Sequence, residues 1–228
     1  MITDAYETVG RPRAGAILFS CEHASNRLPR GVPATRADRA LLRTHWGYDP
    51  GAAWLTRTLV QDAGGAGVLS RFSRLLCDPN RAPGDGSMFL RHTDDGSPAF
   101  NRDLGPAEER ARIARFFEPY HAALGRAVAS GPRLLFSVHT FTPEFRGNRR
   151  AMEAGVLFDR YRPLAEALVG ALRGQGLTTE ANAPYSGLDG LIYAAARHGE
   201  AAGVPYLELE VRQDLVATRP MAVEVATR

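Results

Sequence analysis

The segment Ser20-Cys21-Glu22-His23-Ala24-Ser25-Asn26 sets a thiol, a carboxylate, an imidazole, a hydroxyl and an amide side by side, directly after the apolar run Ala16-Ile17-Leu18-Phe19. Three further places offer chemistry of the same kind. His139 follows the run Leu134-Leu135-Phe136-Ser137-Val138, Glu208 and Glu210 alternate with Leu207, Leu209 and Val211, and Asp49 stands just before Pro50-Gly51. Two imidazoles and one carboxylate form a common catalytic zinc set that leaves a fourth position for water. A further glutamate can then take the proton from that water as it attacks a carbonyl. The segment Ser73-Arg74-Leu75-Leu76-Cys77-Asp78-Pro79-Asn80-Arg81 adds an amide and a guanidinium in sequence, suited to clamping a substrate carboxylate.

Each of these groups has a plainer reading. A lone histidine at a strand end can serve as a hydrogen-bonding residue. Asp49 can cap the helix that Pro50 opens. Glu208 and Glu210 can face water from an edge strand, although the apolar residues between them require one buried face. Arg81 can pair with Asp78 and shape a turn. Cys21 beside His23 can be read as a nucleophilic pair without metal, or as a buried inert thiol.

The elements that position these residues alternate between strands and helices. Short apolar runs at 16–19, 68–69, 75–77, 134–138, 156–158 and 206–211 read as strands. Helical spacing covers 37–44, the segment after Asp49 to Gly64-Gly65, 106–129, 163–173 and 191–202. The stretch 82–105 reads as a long loop, and 216–228 as short and irregular. Such alternation predicts an α/β fold in a single domain, 1–228 with its core at about 14–215, around a mostly parallel or mixed sheet. In such a sheet the C-terminal strand ends share one edge, so residues far apart in the chain can converge there.

Composition narrows the class. A hydrophobic fraction of 44% and a charged fraction of 23% over 228 residues suit a globular domain with a substantial core. No apolar run reaches membrane-spanning length, the N-terminal residues do not read as a signal peptide, and two cysteines make no disulfide framework, so cytoplasm is the expected location. All 28 basic residues are arginine, and they are scattered rather than clustered. A net charge of +3 without basic runs is a weak basis for nucleic-acid binding. A non-enzymatic anion-binding protein using Arg74, Arg81, Arg146 and Arg149 is a further reading.

The motifs resemble the N-formylglutamate amidohydrolase family. They are Ser20 to Asn26 with Leu28-Pro29, Tyr48-Asp49-Pro50-Gly51-Ala52, Ser73 to Arg81, Pro119-Tyr120-His121, Ser137-Val138-His139-Thr140-Phe141-Thr142-Pro143, Asn182 to Ser186, and Leu209 to Leu215. They run in order from about residue 16 to 215. The resemblance implies a three-layer αβα fold similar to zinc-dependent carboxypeptidases. It implies His23, Asp49 and His139 as ligands of one zinc ion, with Glu22 competing for the carboxylate position, and Glu210 as general base. It implies that Arg81 with Asn80 holds the substrate carboxylate. Arg74 joins them as a candidate, and Arg146 is a candidate to stabilise the oxyanion. The expected substrate is a small N-formyl or other N-acyl amino acid such as N-formyl-L-glutamate. The Cys21-Glu22-His23 form looks like a branch distinct from the histidine-degradation enzymes, so the reaction class is implied more firmly than the substrate.

Overall fold

The computed structural model describes residues 1–227. In chain order the strands are β1 (Tyr6–Gly10), β2 (Ile17–Cys21), β3 (Ala66–Ser70), β4 (Leu134–Phe141), β5 (Glu144–Phe145), β6 (Asn148–Arg149), β7 (Ala154–Leu157), β8 (Thr179–Ala181) and β9 (Tyr206–Arg212). The helices are α1 (Arg36–Leu41), α2 (Ala52–Asp62), α3 (Pro106–Arg112), α4 (Glu118–Val128), α5 (Arg162–Gly174), α6 (Tyr193–Ala202) and α7 (Arg219–Ala226). A π-helical turn, Ile113–Phe117, joins α3 to α4. No helix among the described residues is long and apolar enough to cross a membrane.

Seven strands form one mixed sheet in the order β1-β3-β2-β4-β9-β7-β8, and β5 with β6 forms a separate hairpin. The central strands β3, β2, β4 and β9 are mutually parallel, while β1 and β7 pair antiparallel with their neighbours. Helices cover both faces. On one side Leu55 and Val60 of α2, Ala165 and Val169 of α5 and Ala222 of α7 pack with Phe19, Phe136, Val138, Leu207, Leu209 and Val211. On the other, Tyr120, Ala123, Leu124 and Val128 of α4 and Ala194 and Ala195 of α6 pack with Leu18, Val68, Leu135 and Tyr206. Three layers with parallel central strands match the expected αβα architecture.

The second face changes character along each central strand. Its register runs Leu18 to Ser20 in β2, Leu135 to Ser137 to His139 in β4, and Tyr206 to Glu208 to Glu210 in β9. Side chains two apart share a face, so each strand packs the core with its first residues and presents polar groups with its last. The site is therefore built on the C-terminal ends of the central parallel strands of the sheet.

Three local expectations are corrected and one element is added. Residues 75–77 form a buried turn, not a strand: Leu75 and Leu76 offer their carbonyls to the side chains of Asn101 and Arg112 at 2.7 and 3.2 Å instead of to a neighbouring strand. Those side chains meet the demand that buried carbonyls be paired. Asp49 does not cap α2, whose cap is Gly51 at φ 87°. A Cβ there would collide with the Val216 backbone carbonyl, so glycine is required by space as well as by φ. The segment after Leu215 is not irregular, because Thr218 caps α7 by accepting from Met221 N. The segment 6–10 adds an edge strand that the sequence reading did not place.

Candidate active site

The register of β4 against β9 sets His139 beside Glu210 and Ser137 beside Glu208. His23 lies two residues beyond β2, and Asp49 on the loop before α2, tied by its backbone N–H to the His23 carbonyl at 2.9 Å. Gly51 turns the chain into α2 and leaves the Asp49 carboxylate pointing inward, where its Oδ2 lies 2.8 Å from His139 Nδ1 and 3.4 Å from His23 Nδ1. The two imidazole rings meet edge to face, with centroids 4.6 Å apart.

The far nitrogen of each imidazole is held by a second carboxylate. His23 Nε2 lies 2.8 Å from Asp78 Oδ1, and His139 Nε2 lies 3.0 Å from Glu22 Oε2. A carboxylate accepts and cannot donate, so both Nε2 atoms carry a hydrogen; by the same rule His139 Nδ1 donates to Asp49 Oδ2 at 2.8 Å, and a bound cation would take the place of that hydrogen. This is the arrangement that orients histidines on a metal. The ligand atoms of His23, Asp49 and His139 lie within 4.8 Å of one another and all three residues are buried, so the group could hold a metal ion. His23 Nδ1 itself is buried without a hydrogen-bond partner among the described residues, as a coordinating atom would be.

Glu22 therefore does not displace Asp49 as the candidate ligand; it holds His139 from behind. It is fully buried, and its oxygens also accept from Tyr120 Oη at 2.8 Å and Ser137 Oγ at 2.7 Å. Burial opposes its charge, but the hydrogen bonds from His139, Ser137 and Tyr120 bring its pKa down to about 2. For Asp49 burial likewise opposes the charge, and the fields of His23 and His139 overcome it and hold the carboxyl far below its usual range. Burial disfavours a proton on His139, yet Glu208, Asp49 and Glu22 around it push its pKa well above normal. A pocket that draws a proton onto an imidazole this strongly has charge that a divalent cation would neutralise.

Glu210 is the contrasting acid. It is buried, its Oε2 has no hydrogen-bond partner among the described residues, and burial raises its pKa well above the usual carboxylate value, with Asp49 and Glu208 adding to the rise against His139. Glu208 is held differently, accepting from Asn80 Nδ2 at 3.3 Å and lying 3.5 Å from His139 Nε2.

His23, Asp49, His139, Glu208 and Glu210 line one cavity of about 210 Å³ with His45, Trp46, Arg74, Asn80, Arg81, Thr140, Phe141, Thr142, Phe145, Tyr185 and Leu191. Its cations differ in commitment. Arg74 donates through Nε and Nη2 to Asp78 Oδ2 at 3.2 and 2.9 Å, and its Nη1 lies 3.7 Å from Asp49 Oδ1. It is bound to the acids that organise the histidines. Arg81 is not paired with Asp78 through its side chain, and among the described residues its guanidinium has no ion-pair or hydrogen-bond partner. Asn80 is spent on structure, donating to Leu191 O and Glu208 and accepting from Ala194 N.

Arg146 is not brought to the cavity. Its side chain is 68% exposed on the turn after β5, where it pairs with Asp94 at 2.9 Å. Cys21 lies against Ala52 and Leu69 on the other side of the sheet from Glu22, and burial raises its pKa to about 12. A thiol so placed is not a nucleophile for this cavity. Asp78 and Tyr120 are the residues that sequence reasoning missed as parts of the site. Both stood in the motifs, but only the packing shows which atoms they face.

The model of the N-formylglutamate amidohydrolase family matches residues 15–217. No curated protein matches the sequence. A gene product of Agrobacterium tumefaciens of known structure is 29% identical and superposes with a TM-score of 0.89, over 99% of this chain and 91% of that one. An N-formylglutamate amidohydrolase from Ralstonia eutropha JMP134 is 21% identical with a TM-score of 0.75, over 99% of this chain and 98% of that one, and shares the fold. The matched span takes in β2, β4 and β9 and every residue of the imidazole and carboxylate cluster, and the chain belongs to the N-formylglutamate amidohydrolase family.

Proposed function

We propose that this chain is a zinc-dependent hydrolase that cleaves the C–N bond of an N-formyl or other N-acyl amino acid, releasing formate or the corresponding acid and the free amino acid. One observation carries the reading: three buried polar atoms without partners among the described residues, His23 Nδ1, His45 Nε2 and Glu210 Oε2, belong to residues lining the same cavity. Unsatisfied buried atoms cost stability, and here two of them match a task, His23 Nδ1 as a ligand and Glu210 Oε2 as a base.

His23, Asp49 and His139 would hold the ion. A zinc ion in that position supplies a Lewis acid for the acyl carbonyl and acidifies the attacking water. Asp78 and Glu22 keep the Nε2 hydrogens of the imidazoles in place, so that Nδ1 is the atom each would turn to the ion, His139 giving up the hydrogen it shares with Asp49. Glu210 takes the proton of the attacking water on its carboxylate and passes it to the amine nitrogen as the C–N bond breaks; a raised pKa suits a group that must both accept and donate near neutral pH. Arg81 binds the substrate carboxylate, and Arg74 and Asn80 hold Asp78 and Glu208 rather than substrate.

Purified protein should contain zinc, lose amide hydrolysis when a chelator strips it, and regain it on adding zinc back. Glu210→Gln should cut kcat by about 10²–10⁴ while zinc content is retained. Full turnover by the stripped protein would refute the metal reading, and full turnover by Glu210→Gln would refute the base.

A further inference from the structure

We infer that the acyl amino acid taken by this site carries an aromatic or other large apolar side chain rather than a second carboxylate. The inference rests on the proposed hydrolase reading for the position of the α-carboxylate and goes beyond it in naming the side chain.

The first argument is the supply of cations. A substrate with two carboxylates, such as an N-acyl glutamate, needs two free cations or their equivalent. Of the two guanidiniums that line the cavity, Arg74 is committed to Asp78 and Asp49, so Arg81 alone is free. The α-carboxylate takes it. A second carboxylate would enter a space already holding the carboxyl groups of Asp49, Glu208 and Glu210. A buried carboxylate without a cation of its own is strongly disfavoured. The imidazole of His45, whose Nε2 is buried without a partner among the described residues, can offer a second carboxylate one hydrogen bond but little charge, because burial lowers its pKa.

The second argument is the opposite wall. Trp46, Phe141, Phe145 and Tyr185 line the cavity, with Leu191 beside them. Tyr185 is 37% exposed, and Trp46 and Phe145 are half-buried. The wall is held in place from outside. Trp46 Nε1 donates to Asp95 at 3.1 Å, and the His45 ring lies 4.6 Å from Trp46 and 6.2 Å from Phe145. The guanidinium of Arg150 covers Phe141, Phe145 and Tyr185 at 5.5, 5.1 and 5.5 Å and donates from Nη1 to the Thr142 carbonyl and hydroxyl at 3.2 Å. Arg150 braces the rings and is not one of the residues lining the cavity. Size agrees with the chemistry, since a cavity of about 210 Å³ exceeds the ~150 Å³ that holds a benzene ring.

The test compares kcat/KM of the zinc-loaded enzyme on N-formyl-L-phenylalanine, N-formyl-L-leucine and N-formyl-L-glutamate. The phenylalanine compound should lead the glutamate compound by at least about tenfold. Phe145→Arg should move the ratio toward glutamate. Equal rates, or a preference for glutamate that Arg150→Met abolishes, would overturn the inference and make Arg150 the second carboxylate partner. Calorimetry of the wild-type protein with L-phenylalanine and with L-glutamate separates this inference from the hydrolase reading. Tighter binding of phenylalanine without turnover of any N-acyl compound would sink the hydrolysis and keep the side-chain preference. Turnover with tighter glutamate binding would do the reverse.

Discussion

The floor and the rim of the cavity are built by different means. The floor, with His23, Asp49, His139 and Glu210, rests on adjoining parallel strands whose register is fixed by backbone hydrogen bonds and by the packed core beneath. Every imidazole nitrogen there faces a named carboxylate. The rim, with Trp46, Phe145 and Tyr185, comes from loops and a two-residue hairpin held by exposed ion pairs and ring contacts. A buried charged network loses much when one member is removed, whereas an exposed ion pair contributes little. The difference assigns fixed chemistry to the floor and adjustable specificity to the rim.

The largest effect should come from the floor. Glu22→Gln removes the charge that holds His139 Nε2 while keeping the shape of the side chain. Zinc affinity should fall by about 10–100-fold, measured by competition with a chelator of known strength. An unchanged affinity would mean that His139 is oriented by packing alone, and the contrast with the rim would lose its electrostatic basis.

A second probe reaches the scaffold behind the floor. His121 Nε2 lies 3.0 Å from the Pro79 carbonyl, which only accepts, so that nitrogen carries the hydrogen and His121 Nδ1 accepts from His198 Nε2 at 2.9 Å. This pair ties α4 to α6 and to the segment bearing Asp78 and Asn80. Burial, helped by the charge of Arg197 and by each ring's neighbour for His121, lowers the pKa of His121 to about 3 and of His198 to about 4. Both folded values lie below the ordinary 6.5. Between those limits the unfolded chain binds more protons at these two sites, so the contribution of this pair to stability is full above about pH 6.5 and is lost as pH falls toward 3. The loss approaches about 1.4 kcal/mol per pH unit for each proton. Denaturant titrations at pH 7, 6, 5 and 4 should show this slope, and His121→Gln should flatten it. A variant with the wild-type slope would place the acid sensitivity in the carboxylate cluster instead.

The same contrast explains what could be read before the structure. His23, His139 and Glu210 were legible because strand ends can be located from apolar runs, and the sheet edge then gathers them. Asp49 was ambiguous, since the pattern Asp-Pro-Gly fits a helix cap, and only the left-handed Gly51 shows that the side chain turns away from the helix. The run Leu75-Leu76-Cys77 has the composition of a strand, but its carbonyls are claimed by Asn101 and Arg112, partners 26 and 36 residues away that no local pattern announces. Asp78 was visible as a residue and not as a partner of His23, because the side it faces depends on that turn. The helix α7 was signalled by Thr218 and Pro220 at its start, a cap and an early proline that the short C-terminal segment obscured. Arg146 was chosen for its charge and its loop, and neither property reveals that Asp94 neutralises it.

That ion pair provides the smallest expected effect and the sharpest test of the rim. Asp94→Ala frees Arg146 and loosens the hairpin that carries Phe145. A fully exposed pair contributes little, so KM for the preferred substrate should rise by no more than about fivefold. The chemical step depends on the floor, so kcat and zinc affinity should not change. If kcat falls with KM unchanged, the hairpin participates in the chemistry itself, and Arg146 would return as a candidate for stabilising the oxyanion once closure brings it inward. A pure KM effect places the hairpin in substrate selection, where a loop held by one weak pair can vary without disturbing His23, Asp49 and His139.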